Sequence, residues 1–320
     1  GWHWGNYGSV SSAAVEKPHL SGWRPLLEGE FDLAYSPLLE LHHRQGVALL
    51  CTLDLEARDA VEPMTRRLAR RLIAYAQTAQ AEPAVKTCLY LGGAGGRQLL
   101  RGLGLRFEQA DSLPKGDSAT LAVIAGDAKV TAAELTAYAA AGGRALLLPR
   151  TSALLGKLGE PVDYHDAAAL PDWPEVRGLS RSDLRLRADQ PIRPMLAGDG
   201  VTPAAGGLLA RAFDGRVLSL QLTPDLLPAG EKTYLRYSRW RLTRALTQLL
   251  ANLGAEFAMD AHSLSPGWNA ASRPISLAGD WRFRVERKLP AAGSFDRRTE
   301  DPGQEDRKSG GEGKSVDRGG

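Results

Sequence analysis

The sequence predicts an α/β protein with a doubly wound sheet, complete between about residues 85 and 255. Three observations predict it. Short apolar runs bounded by glycine alternate with helical patterns, which suits strands buried on both faces and joined by helices. One helix opens on Thr131-Ala132-Ala133-Glu134, a capping box, and closes at Gly142-Gly143, where glycine takes the left-handed C′ conformation without a Cβ clash. The order strand, helix, strand between Thr120 and Leu148, with short connections, makes a right-handed βαβ unit.

The elements follow in order. Thr87 to Leu91 reads as the first strand, Gly92 to Gly96 as the turn after it, and Gln98 to Gly102 as the start of a helix. Arg106 to Glu108 is the second strand. Leu121 to Ala125 is an apolar strand ending at Gly126-Asp127, and Arg144 to Leu148 is the next, closed by Pro149. Pro149 to Pro194 is irregular and rich in Pro, Asp and Arg. Gly206 to Phe213 reads as a strand, Asp214-Gly215 as a tight hairpin turn and Arg216 to Leu222 as its return strand. Leu235 to Leu253 is a long amphipathic helix stopped by Gly254.

The chain carries a candidate internal repeat, the bland alternative being that any two hairpin–helix segments look alike. Leu39-Glu40-Leu41 and Gln45 to Leu53 match Leu208-Leu209-Ala210 and Asp214 to Leu222: a strand, a glycine turn and an apolar return strand. A helix follows each, at about Glu62 to Thr78 and at Leu235 to Leu253. Gly46 and Gly215 lie 169 positions apart. The spacing implies a first copy, occupying residues 1–80, whose start would fall roughly 85 residues before Gly1. Residues 256–296 form a linker, Pro266-Gly267-Trp268, followed by alternating apolar and polar residues at Ile275 to Val285, a half-buried strand. Residues 297–320 are Gly, Asp, Glu, Lys and Arg with almost nothing apolar, too little to offset chain entropy, and read as a disordered tail. Such a tail after a strand that needs partners points to truncation or a shifted reading frame.

Composition bounds the function. The 320 residues leave room for about two domains of roughly 100–200 residues. Hydrophobic residues at 43% and charged residues at 24% are globular values. Forty basic side chains nearly balance 37 acidic ones, with no basic stripe interleaved with aromatics, which argues against nucleic acid. No apolar run reaches the ~18 residues of a membrane span. Two cysteines imply no disulfide framework. The sequence opens at Gly1 without a Met or a charged-then-apolar stretch, and the compartment stays open.

The search for chemistry yields no catalytic set. Gly92 to Gly96 could cradle a phosphate, but its spacing is not a clean G-x-G-x-x-G and a structural turn is the favoured reading. Cys88 lies inside a strand and Cys51 on a return strand, whereas a nucleophile belongs on a sharp strand-to-helix turn. The turn at Gly126-Asp127 carries no Cys or Ser. His3, His19, His42, His43, His165 and His262 show no ligand spacing, so no metal or other cofactor is expected. Glu28, Glu30, Asp32, Glu40 and Asp54 read as solvated or capping carboxylates rather than a glycosidase pair. Trp2, Trp4 and Tyr7 are the candidate carbohydrate-binding residues, since exposed rings stack on sugar faces. The bland alternative is a loop packed against another half-domain.

The stretches Trp4 to Val10, Glu28 to Glu40 and Cys51 to Leu55 resemble the end of a glutamine-amidotransferase-like domain, and residues 85–255 look like a second copy. Such domains accompany bacterial β-galactosidase-type glycoside hydrolases. They are flavodoxin/Rossmann-like, akin to the trimerisation domain of family 42 β-galactosidases, and usually lack the amidotransferase nucleophile. Leu277 to Phe283 is similar to the opening strand of the sugar-binding jelly roll of glycoside hydrolase family 2, although the expected continuation is absent after Ser294. The resemblance implies a non-catalytic accessory region in carbohydrate metabolism. Its expected partners are the catalytic domain of the parent chain, carbohydrate, and further copies in a homo-oligomer. A secreted or periplasmic parent is among the options. Two other readings stay open: a carbohydrate-binding module, and an independent hydrolase- or amidotransferase-like enzyme using Cys88 or Asp127.

Overall fold

A computed structural model describes residues 10–258 apart from 12, 19–21, 30–32, 34, 44–45, 57, 59, 81–83, 168 and 228–232, together with a strand at 287–288. The N-terminal part is a sheet of β1 (Ala13–Glu16), β2 (Arg24–Gly29), β3 (Tyr35–His43) and β4 (Gly46–Cys51). β3 is its centre and pairs antiparallel with the other three. Helix α1 (Pro63–Thr78) follows and packs on β4. Pro63 opens it, where a missing N–H costs nothing, and the Glu62 side chain accepts from the Met64 N–H.

The second part alternates β5 (Thr87–Leu91), α2 (Ala94–Gly102), β6 (Glu108–Gln109), β7 (Thr120–Ile124), α3 (Ala132–Ala140) and β8 (Arg144–Leu147). Short ribbons follow: β9 (Lys157–Leu158) pairs with β12 (Met195–Leu196), and β10 (Val162–Tyr164) with β11 (Gln190–Ile192). β13 (Thr202–Ala204), β14 (Leu209–Ala212) and β15 (Val217–Leu220) then lead into α4 (Thr233–Asn252). A last strand, β16 (Arg287–Lys288), pairs with β1.

Seven of these strands form one mixed sheet in the order β13-β14-β15-β8-β7-β5-β6. The run from β15 to β6 is parallel, and the β14 and β13 edge is antiparallel. Period-two alternation divides the core. Leu121, Val123 and Leu146 join one cluster with Leu99 and Leu100 of α2 and Leu242, Leu246 and Leu249 of α4. Ala122, Ile124 and Leu147 join the other, with Leu135 and Tyr138 of α3. Helices therefore cover both faces, an arrangement compatible with a doubly wound sheet.

The capping box at Thr131 forms as expected. Thr131 Oγ1 accepts from the Glu134 N–H at 3.2 Å, and Glu134 Oε2 accepts from the Thr131 N–H at 2.7 Å. Gly142 follows α3 with φ of +104°. Several boundaries differ from expectation, among them β6, which takes Glu108–Gln109 rather than Arg106 to Glu108. Ala94 to Gly96 are already the first turn of α2 rather than a loop. Gly206 and Gly207 take positive φ and precede β14 instead of belonging to it. The β14–β15 connection is not a tight two-residue turn. Ala212 pairs with Val217, leaving Phe213 to Arg216 between them, with positive φ at Phe213, Asp214 and Gly215.

These packing arguments set two expected outcomes in urea unfolding. Leu146→Ala, in a fully buried layer, lowers stability by about 2–5 kcal/mol. Thr131→Ala, which removes an exposed cap, lowers it by about 1 kcal/mol.

Candidate functional site

Open α/β sheets bind ligands at the carboxyl ends of the strands where the strand order reverses. Here that point lies between β5 and β7, because α2 carries the chain outward to β6 and α3 carries it the other way to β8. Its walls are Gly92 to Ala94 and Gly126 to Ala128. Asp127 fills the gap. Its carboxylate accepts from the Gly93 N–H through both oxygens, at 3.2 and 3.0 Å. The carboxylate thus sits at the positive end of α2, where a ligand anion would bind. A Cβ on Gly93 would collide with that carboxylate, and one on Gly96 with the Tyr90 hydroxyl. The glycine run is therefore explained by close approach within the protein. Tyr90 donates to Gly93 O at 2.9 Å, Gln109 to Gly92 O at 3.1 Å, and Arg150 to Ala125 O at 2.7 Å, so the crevice rim is bonded to itself. Burial, helped by the charge of Asp127, pushes the Tyr90 phenol up to about 12.

Cys88 does not reach this crevice. It is the second residue of β5, about 10 Å along the strand from Leu91. It is buried, and desolvation pushes its thiol up to about 12, far from a reactive thiolate. Cys51 is exposed on β4. Trp2, Trp4 and Tyr7 lie outside the described residues, as do Ile275 to Val285 and the tail from Arg297. Among the described residues, no group of three or more His, Cys, Asp or Glu could hold a metal ion. Among them, too, no helix is long and apolar enough to cross a membrane.

A second charged cluster lies at the seam between the N-terminal sheet and the α/β part. At its centre is Asp183, whose side chain is 2% exposed. Asp183 Oδ1 takes Lys17 Nζ at 3.1 Å and Arg244 Nε at 2.9 Å. Its Oδ2 accepts from the Ser180 N–H at 2.9 Å and the Ser180 hydroxyl at 3.2 Å. Lys17 also pairs with Glu28 at 2.9 Å, and Arg244 donates to Gly178 O. Beside this group, Arg24 bridges Glu40 on β3 and Asn252 on α4, at 3.1 Å each. Glu40 further accepts from the Tyr75 hydroxyl and binds His42 Nε2 at 2.8 Å. A small cleft beside them is lined by Arg24, His42, His43, Glu256 and Phe257.

Glu28 and Glu40 are therefore ion-pair members, not the solvated or capping carboxylates expected from their spacing. Each is committed to cations, which is unlike two acids facing each other across a sugar. Burial alone would push Asp183 up, but the charges of Arg244 and Lys17 and the Ser180 N–H outweigh it and hold the carboxyl at about 2. Glu40 is likewise held below its ordinary value. Burial opposes this, and the bonds from His42 and Tyr75 with the charge of Arg24 prevail. Burial and the adjacent Glu40 push Tyr75 up to about 12. Sequence reasoning missed Lys17, Arg24, Asp183 and Arg244. The available signal was Arg244 with Thr243, Thr247 and Gln248, polar residues between the leucines of α4.

Fold and site together define an α/β protein with a self-filled switch-point crevice and a buried ionic seam. No protein-family model matches the chain, and no curated protein matches it.

The seam sets the next expected outcome. Asp183→Asn leaves buried Arg244 without its carboxylate partner and Lys17 with Glu28 alone, and costs about 3–5 kcal/mol at neutral pH, read from urea midpoints. A carboxyl held at about 2 against an ordinary 3.8 contributes stability above the ordinary value and loses it as pH falls through about 2. The gap between the two proteins therefore narrows by about 2 kcal/mol as pH drops from about 5 to about 2.

Proposed function

We propose that this chain is a non-catalytic accessory region of a bacterial carbohydrate-active enzyme of the β-galactosidase-like glycoside hydrolase type, serving as a scaffold beside the catalytic domain. One observation carries the reading. The crevice where such a sheet would work is occupied by Asp127 on the Gly93 N–H, and Cys88 is withdrawn into the core. An enzyme needs a nucleophile or acid–base pair with room for substrate, whereas Asp127 is held on the Gly93 N–H and Cys88 is buried away from the crevice.

The finer fold assignment belongs to the same proposal. The parallel order β6-β5-β7-β8-β15 has the 2-1-3-4-5 pattern of flavodoxin-like sheets, which supports an amidotransferase-like domain at residues 85–255. The antiparallel run β2-β3-β4 followed by α1 parallels β13-β14-β15 followed by α4, which supports a partial second copy in residues 1–80. The carbohydrate assignment rests on the sequence resemblance.

The test is hydrolysis of p-nitrophenyl β-galactoside by the purified chain. The expected rate equals that of buffer alone. Turnover that disappears in Asp127→Asn or Cys88→Ala would instead make this chain an enzyme in its own right. Galactose titration followed by tryptophan fluorescence separates a scaffold, which gives no saturable change, from a module binding through Trp2, Trp4 and Tyr7.

A further inference from the structure

Each apolar cluster lies wholly on one side of the seam. Among the described residues, Val15, Trp23, Leu39 and Leu41 form the cluster of the N-terminal sheet. The two larger clusters draw only on residues from Val85 onward. The links that cross between the two parts are polar. Lys17 Nζ reaches Asp183 Oδ1 at 3.1 Å, and the Ser180 hydroxyl donates to Glu28 Oε1 at 3.3 Å. Arg24 donates to Asn252 Oδ1 at 3.1 Å, and Arg244 to Trp23 O at 3.5 Å. Apolar burial holds a contact at any pH, whereas an ion pair holds only while both groups are charged.

The crossing links answer differently to acid. Asn252 and the Trp23 carbonyl do not titrate. Asp183 does, and it takes one cation from each part, Lys17 and Arg244. Once it is neutral, Lys17 keeps Glu28 alone, and Arg244 keeps the carbonyls of Gly178 and Trp23. Buried cations short of counter-charge are costly, and opening the seam hydrates them. Glu40 faces Arg24, His42 and Tyr75, all from the N-terminal part. Arg177 adds its field at Tyr75, and His43 and Glu256 line the adjoining cleft. Titration of Glu40 therefore acts within the sheet rather than on the crossing pair.

We propose that the seam is an acid-released latch: neutralising Asp183 undocks the N-terminal sheet and α1 as one unit, while the α/β part stays folded. Leu242, Leu246 and Leu249 of α4 share a cluster with Leu121 and Leu146, and no side chain of the N-terminal sheet belongs to it. The groups uncovered at the crossing links are charged, amide or hydroxyl groups, whose bonds water replaces at small net cost. The sign follows from the closed state. Asp183 is held at about 2 there, so the latch loses its hold as pH falls through about 2. This inference goes beyond the scaffold reading and does not require it.

The test is hydrogen exchange of the full chain read by mass spectrometry, expressed as protection relative to unstructured peptide. At about pH 7 both β3 and the pair β7 and β8 are expected to be protected. At about pH 2 protection falls at least about tenfold in β3 and stays within about twofold in β7 and β8. Lys17→Met cuts the crossing pair and leaves Asp183 with Arg244, and is expected to bring the same selective loss at about pH 7. Asp166→Asn, which removes the partner of exposed Arg181, leaves both at parent values. Loss of protection in all three strands together, by acid or by Lys17→Met, overturns the proposal. Full protection of β3 at about pH 2 overturns it as well. So does a selective acid loss that Lys17→Met does not reproduce at about pH 7, because the latch would then lie elsewhere.

Discussion

Asp183 must keep a negative charge where almost no water reaches it, and the way the chain meets that requirement organises the molecule. An isolated carboxylate there would cost several kcal/mol in lost hydration. The cost is offset by Lys17, 166 residues away in sequence, and Arg244, 61 residues away. One cation arrives from the end of the first sheet and the other from the last helix. The carboxylate can be satisfied only when all three segments meet, so it selects one relative placement of the N-terminal sheet and the α/β part. A well-packed apolar seam could match it in stability. What the ionic seam adds is intolerance of other placements, because each of them strands a buried charge.

The same economy appears at the switch point. A helix N-terminus with glycines around it invites an anion. The chain supplies Asp127 itself, and the rim is bonded through Tyr90, Gln109 and Arg150. A carboxylate accepting backbone N–H bonds at a helix N-terminus lowers the energy of the fold, but it takes the position where chemistry on a substrate would start. A crevice used for stability in this way accords with a scaffold better than with a catalyst.

Among the described residues, the α/β part is closed on both faces and the first sheet is not. The difference is visible when β15 with α4 is set against β4 with α1. In the former every strand residue and most of one helix are removed from water. In the latter the helix is held through Thr65 and Tyr75, and its apolar flanks remain wet. Burial contributes in proportion to apolar area removed from water, so α1 contributes far less to stability than α4.

The sequence by itself determined the parallel core. The apolar run at Leu121 to Ala125, the capping box at Thr131 and the glycine stop at Gly142 are local patterns, and each became the expected strand, cap or helix end. Helices α1 and α4 fell within two residues of their expected limits, because the spacing of apolar residues encodes them directly. The tertiary structure alone decided the seam. The sequence marks Arg244, Thr247 and Gln248 only as polar positions in an amphipathic helix, and Glu40 reads as a solvated or capping carboxylate. Arg244 is buried because Trp23, Gly178 and Asp183 close over that side of α4, and Glu40 because Arg24 and Tyr75 reach it, and no local period records which distant charge will meet which. The self-filled crevice belongs to the same class: Gly93 and Asp127 are 34 residues apart, and only the parallel pairing of β5 with β7 brings them together.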